Sequence, residues 1–200
     1  MNPSLTSLTA DVVSLTNRPD LVGETALAIR AATLKAHGSD YYYKDLIETG
    51  IQFDYSQTQQ TLEYKTLIPR WRALKYIRKF DYSRPPGCAG KFLELLTPED
   101  ILDSYGINRE DVCYVAGLEL QIRCTELNQF FLLGCYVHPD VTANNYCSWI
   151  ADESPLTIVY EAAATVFKTI GFDEQVAVYR QLVAEQYAEL KLTNIVANGY

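Results

Sequence analysis

The stretch Ser154–Asn194, SPLTIVYEAAATVFKTIGFDEQVAVYRQLVAEQYAELKLTN, carries the clearest architectural signal in this chain. It predicts two helices, 155–170 and 173–194, joined by one tight corner. Ser154 suits an N-cap, and Pro155 suits the first helical position, where its missing N–H costs nothing. Leu156, Val159, Ala163, Val166 and Ile170 recur at three- and four-residue steps, which is one apolar helical face. Gly171 can take the left-handed conformation that closes a helix, and Asp173 can cap the next. Val176, Tyr179, Val183, Tyr187 and Leu190 form the second face, with Ala177, Ala184 and Ala188 allowing a close neighbour. Neither helix can bury its face alone, so both must pack on each other and on helices from elsewhere.

The partner helix lies far upstream. Thr16-Asn17-Arg18-Pro19-Asp20 is a helix start, with Thr16 or Asn17 as cap and Asp20 and Glu24 placed for the helix dipole. The helix is expected over 18–37, with Leu27, Ala31 and Leu34 as its inward stripe and Val22, Ala26 and Ile29 widening it. Its many alanines predict a place in the middle of a bundle. Met1–Leu15 reads as a tail, and Ser39-Asp40 as the cap of a short helix carrying Tyr41–Tyr43, Leu46 and Ile47.

After Gly50 the period changes to two. Ile51, Phe53 and Tyr55 alternate with polar residues, as do Leu62, Tyr64, Thr66 and Ile68 up to Pro69. Further strands are expected from Leu74 to Phe80, over 92–96, over 113–116 and 118–124, and from Phe130 to Val137. Thr97-Pro98-Glu99-Asp100 starts a short helix that stops at Gly106, and 141–152 is a connection holding Trp149. The expected class is α+β: an α-helical bundle interrupted by a β-rich insertion. The parts are a tail and bundle helices over 1–50, the insertion over 51–152, and a helical hairpin with a docking tail over 153–200.

Composition narrows the function. Over 200 residues, 48% hydrophobic content is ample for a core. The net charge of -8 argues against a dedicated nucleic-acid binder, which normally shows a basic face. Met1–Asp11 has neither a basic start nor an apolar core, so no signal peptide is expected, and no apolar run is long enough to span a bilayer. A soluble chain made inside the cell follows as the expectation. The five cysteines read as reduced, small hydrophobes.

Chemical motifs are scarce. There is no glycine-rich phosphate loop, no Gly-x-Ser-x-Gly elbow and no His-Glu-x-x-His. The best metal candidates are Cys124, Cys135, His138 and Cys147, of which Cys135 and His138 have zinc-like spacing. Strand alternation places Cys135 among core residues, so no metal is expected. A Cys nucleophile with His37 or His138 lacks any mark of a lowered thiol pKa. Glu99 and Asp100 are explained by the helix start beside them. The 15 tyrosines fit a large interface, where the ring supplies area and the hydroxyl a polar handle.

Two groups of motifs carry a family resemblance. One is Tyr136-Val137-His138-Pro139, Ser148-Trp149-Ile150, Tyr160-Glu161-Ala162-Ala163-Ala164 and Phe167-Lys168-x-Ile170-Gly171. The other is Thr16-Asn17-Arg18-Pro19-Asp20-Leu21 followed by Ala28-x-Arg30-Ala31-Ala32-Thr33-Leu34. Together they resemble the head–tail adaptors (connector or neck proteins) of short-tailed phages. The resemblance covers most of the chain, through packing motifs rather than chemical ones. It implies a virion protein without catalytic residues or cofactor: a homo-oligomeric ring, commonly of twelve copies, that joins the portal to tail proteins and lines the channel for double-stranded DNA. Negative charge suits such a channel, because basic walls would hold phosphates. The resemblance, with the apolar residues beyond the expected helix end, implies portal docking through Leu192, Ile195, Val196 and Tyr200, with the insertion toward the tail. Another neck, tail-terminator or head-completion protein is the nearest alternative, and an enzyme with an unrecognised cysteine or carboxylate site is the other.

Overall fold

A computed structural model describes residues 4–52, 59–81, 90–102, 109–124, 129–142 and 144–197. The fold is α+β, with helices from both ends of the chain and a β-rich insertion between them. Two compact units result: Met1–Asp45 with His138–Tyr200, and the inserted Leu46–Val137. The insertion therefore begins five residues before the expected boundary at 51. It ends well before 152, because 138–152 belongs with the helices.

The helical unit starts with α1, Leu5–Thr16, where a tail was expected. Ser4 and Ser7 form a reciprocal capping box, each side chain accepting the other's backbone N–H at 3.1 and 3.0 Å. Leu8 and Val12 lie one turn apart and are buried. Asn17 does not cap the next helix; it closes α1 in the left-handed conformation, at φ 53°. A 3-10 turn, Pro19–Leu21, leads into α2, Val22–Gly38.

α2 is rotated from the expected face. Its buried residues are Thr25, Ala28, Ile29, Ala32, Thr33, Ala36 and His37, while Leu27 is 66% exposed and Leu34 and Val22 also face solvent. The reason is distance. Ala28, Ala32 and Ala36 form a small-residue ridge that lets a neighbouring helix come close, which the leucine stripe would hold apart.

The neighbour is α5, Pro155–Thr169, which follows the short α4, Trp149–Glu153, inside the expected connection. α5 packs on α1, α2 and α4 and on the last helix, α6, Asp173–Ala197. The central helix is thus α5 and not α2, and Ile158, Val159, Ala162, Ala163, Ala164, Val166 and Phe167 are all buried. Leu156, expected on the inward face, is exposed. Ser154 stands at the N-cap position, but its hydroxyl meets the Thr157 side chain at 2.8 Å rather than a backbone N–H. Gly171 takes φ +78° at the corner, as expected. α6 buries Val176, Val183 and Leu190 and half-buries Tyr179 and Tyr187, which is the predicted stripe. Tyr179 stacks on Phe167 with centroids 5.3 Å apart.

The inserted unit has two four-stranded sheets. Its elements are β1 Leu46–Gln52, β2 Gln59–Glu63, α3 Tyr64–Leu67, β3 Trp71–Asp81, β4 Lys91–Phe92, β5 Glu94–Leu95, β6 Val112–Ala116, β7 Glu119–Arg123 and β8 Gln129–Val137. The sheet orders are β1-β8-β3-β4 and β2-β7-β6-β5, with β5 and β6 parallel and every other pair antiparallel. Ile51, Ile77, Phe131 and Leu133 of the first sheet share one core with Leu120, Ile122 and Cys113 of the second.

Several boundaries differ from the pattern reading. Tyr41–Tyr43 do not enter a helix: a 3-10 turn, Tyr43–Asp45, precedes β1, which takes up Leu46 and Ile47. The strand expected to run to Ile68 stops at Glu63, where α3 puts Tyr64 into the core and its ring on Trp71, 4.5 Å between centroids. β3 begins at Trp71 rather than Leu74, because two irregularities before Tyr76 break its alternation. Residues 97–106 give only a 3-10 turn, Pro98–Ile101, in the described part, and 103–108 lie outside it. Phe53 and Tyr55 likewise fall outside the described residues. In the helical unit, β9 Asp140–Val141 and β10 Tyr146–Cys147 make a small hairpin before α4.

Candidate docking interface of the helical unit

The end of α6 is fixed by one buried amide. Asn194 accepts the Tyr43 backbone N–H at 3.2 Å and donates to the Asp40 carboxylate and the Tyr41 carbonyl at 3.3 and 3.4 Å. Leu190, one turn earlier, is buried on the same side. The helix does not lose its register at Asn194; it continues to Ala197. The opposite side therefore stays outward. Leu192 is 63% and Ile195 49% exposed, three residues apart on one face. Val196 falls in the last turn of α6, and Tyr200 lies outside the described residues. Of the four expected docking residues, the structure brings Leu192 and Ile195 together.

The turn that receives Asn194 rests on a buried polar cluster that the sequence reading missed. His37, at the end of α2, meets Asp45 Oδ1 through Nδ1 at 2.7 Å and Ser148 Oγ through Nε2 at 2.9 Å. Trp149 Nε1 donates to the same Asp45 oxygen at 2.8 Å. Ser148 Oγ also accepts the Ala151 N–H at 3.2 Å and so caps α4. One tautomer satisfies every contact: Nδ1–H donates to Asp45, and Nε2 accepts from Ser148. The connectivity is that of a Ser–His–Asp triad. All three groups are buried, His37 at 1% and Ser148 at 4% exposed, and the hydroxyl also serves as the α4 cap. What this cluster does is hold the 39–45 turn, α2 and α4 in one geometry. The only hint in the sequence was a histidine at a helix end eight residues before an aspartate, too common a pattern to single out.

A cleft of about 210 Å³ opens between this turn, α4 and the end of α6, with Tyr42, Lys44, Trp149 and Thr193 among its walls. Lys44 lies over the Trp149 ring at 5.1 Å and is paired with Glu153. The cleft's one cation is thus spent on its own wall.

The other candidates stand apart from this surface. Cys135 is in the core of the inserted unit, Cys124 is buried just after β7, and Cys147 is exposed in β10. Among the described residues no three His, Cys, Asp or Glu side chains converge as metal ligands. Burial pushes the Cys113 thiol up to about 12, with Cys124 adding to the rise, and pushes Cys135 up to about 11. Such thiols stay protonated at neutral pH and are poor nucleophiles. No helix among the described residues is long and apolar enough to cross a membrane.

One further apolar strip remains on the surface: α2 shows Leu27, Ala31 and Leu34, whereas Val178 of α6 is separated from Leu192 and Ile195 by the exposed Gln181, Glu185 and Glu189. The sequence matches no protein-family model and no curated protein.

Proposed function

We propose that this protein is a structural subunit of a phage virion, a head-to-tail adaptor that forms a ring beneath the portal. The observation that carries the reading is a pair of unpartnered apolar surfaces, Leu27, Ala31 and Leu34 on α2 and Leu192 with Ile195 at the end of α6. A closed ring repeats one head-to-tail contact, and that contact needs two different surfaces on each subunit. The α2 strip supplies one of these surfaces, and the α6 pair is left for a partner other than the next copy. The motif resemblance supplies the identity of the ring: commonly twelve copies, a portal above, tail proteins below and double-stranded DNA in the channel. In this reading Leu192 and Ile195 meet the portal, the subunit sits in the virion, and neither catalysis nor a cofactor is involved.

Native mass spectrometry of the purified protein, alone and mixed with portal rings, tests it. The expected result is a closed oligomer with the portal, lost when Leu27 and Leu34 are both changed to Glu. A protein that stays monomeric with portal present, or a ring indifferent to those changes, rejects the reading.

A further inference from the structure

Although the chain is acidic, its cations are not spread evenly. Eight of the 17 lysines and arginines fall between Lys65 and Lys91, where Asp81 is the single acid. Four of the eight, Arg72, Lys75, Arg78 and Lys79, lie in β3. Alternation along β3 turns Ile77 and Lys79 toward the core and Tyr76, Arg78 and Phe80 to the other face of the sheet. Lys79 is spent on Asp111 at 2.6 Å, and Lys91 on the same carboxylate at 2.8 Å. Arg78 is placed differently.

On the outer face Arg78 lies opposite Phe92 of β4 and Leu132 of β8, and Phe80 lies opposite Phe130. The Arg78 guanidinium stands 5.0 Å from the Phe80 ring centre and 5.9 Å from that of Phe92. Tyr76 meets Phe92 edge-on at 5.4 Å. Lys75, at a break in the β3 register, lies 5.6 Å over Tyr136. Glu48 is the acid on this face; it accepts from the Tyr76 hydroxyl and lies 3.5 Å from Arg78. The rings of Tyr76 and Phe130 lie over glycines, Gly134 directly opposite Tyr76 and Gly50 diagonal to Phe130. A methyl group on Gly134 would collide with the Tyr76 ring, and one on Gly50 with Phe130. Phe92, on the edge strand, keeps 57% of its surface in solvent.

We propose that this face is a stacking platform for single-stranded nucleic acid, with Phe92 and Tyr76 meeting bases and Arg78 and Lys75 meeting phosphates. Flat rings interleaved with cations on an open sheet complement a chain of flat bases joined by anions. A duplex hides its base faces, so the aromatic half of the platform selects single strands. Net charge conceals such a site, because it averages over the chain, whereas Lys75 and Arg78 face the carboxylate of Glu48 on this face. The inference is independent of the adaptor reading, in which DNA passes as a duplex without a binding site.

Fluorescence anisotropy with labelled oligothymidylate of about 20 nucleotides and the full chain tests it. Saturable binding is expected, weakening as salt rises from about 50 to about 200 mM. Phe92→Ala, at an exposed edge position, should lower affinity about tenfold with an unchanged circular dichroism melt. Arg78→Lys keeps the charge but not the planar guanidinium, and should cost less. The proposal is overturned by absence of binding at low salt, by equal affinity of the Phe92→Ala protein, or by a duplex that binds as well as the single strand. It is also overturned if the free protein self-associates through a Phe92-dependent contact, which would give the face to a second copy.

Discussion

His37 engages both ring nitrogens with buried partners, and this makes its replacement costly in a specific way. His37→Ala removes two buried hydrogen bonds and leaves the Asp45 carboxylate with one partner fewer, beside the Trp149 indole N–H that remains. An expected loss of about 3 kcal/mol follows from two lost buried hydrogen bonds, one of them to a carboxylate. Ser148→Ala removes the α4 cap and the donor to Nε2, for about 2 kcal/mol. Urea denaturation read by tryptophan fluorescence measures both. Losses below about 0.5 kcal/mol, typical of surface changes, would show that the cluster is not the fastening described. Asp111 makes a second prediction, in acid. Burial alone would raise its pKa, but hydrogen bonds from Lys79 and Lys91, with their charges, outweigh this and hold it at about 2. A carboxylate lowered in the folded state stabilises above its unfolded pKa of about 3.9, and that stability is lost as pH falls through the folded value. The inserted unit should therefore weaken between about pH 4 and pH 2. Asp111→Asn should flatten that part of a pH-dependent melting series while lowering stability at neutral pH.

Among the elements, long helices with a regular apolar period were legible, and faces chosen by side-chain size were not. α5 and α6 followed from Pro155, Gly171 and the Val176–Leu190 stripe. α2 was found at the right place but turned wrongly, because pattern reading favours large apolar side chains while the real contact selects the Ala28–Ala32–Ala36 ridge. α1 escaped notice because only Leu5, Leu8 and Val12 mark it, and a Ser–Ser capping box is a weak sequence signal. β3 was clipped because its irregularities hide the period. The apolar character of the α6 end, Leu192 and Ile195, was legible in the sequence, whereas the anchor Asn194 was not, since an amide declares its partners only in three dimensions. That anchor gives a third prediction. Deleting 195–200 keeps Asn194 and the buried stripe, so the melting temperature should hold. On the adaptor reading, portal binding in a pull-down should disappear. A truncated protein that still decorates portal rings normally rejects Ile195 as a docking residue and leaves the ring proposal on the α2 strip.

For the whole molecule, the decisive feature is how the insertion is spliced in. β1 opens it and β8 closes it, and the two are antiparallel neighbours with Leu46 paired to Tyr136. Its entry and exit therefore stand side by side. The helical unit must close across an insertion of about ninety residues before α2 can meet α5. Closing so long a flexible loop costs more than closing a two-residue one by on the order of 3 kcal/mol. Once the sheet has formed, β1 and β8 have already brought the ends together, and the helices meet as though joined by a short turn. The insertion thus acts on folding kinetics as an internal staple. A variant that weakens β1–β8 pairing, such as Ile51→Thr, should slow the folding of the helices more than it speeds their unfolding in stopped-flow chevrons. An unchanged refolding rate would mean that the bundle forms without it. The same geometry makes the inserted unit an exchangeable cassette: any domain whose termini lie as close can occupy the gap between Asp45 and His138 without changing the path of the helices.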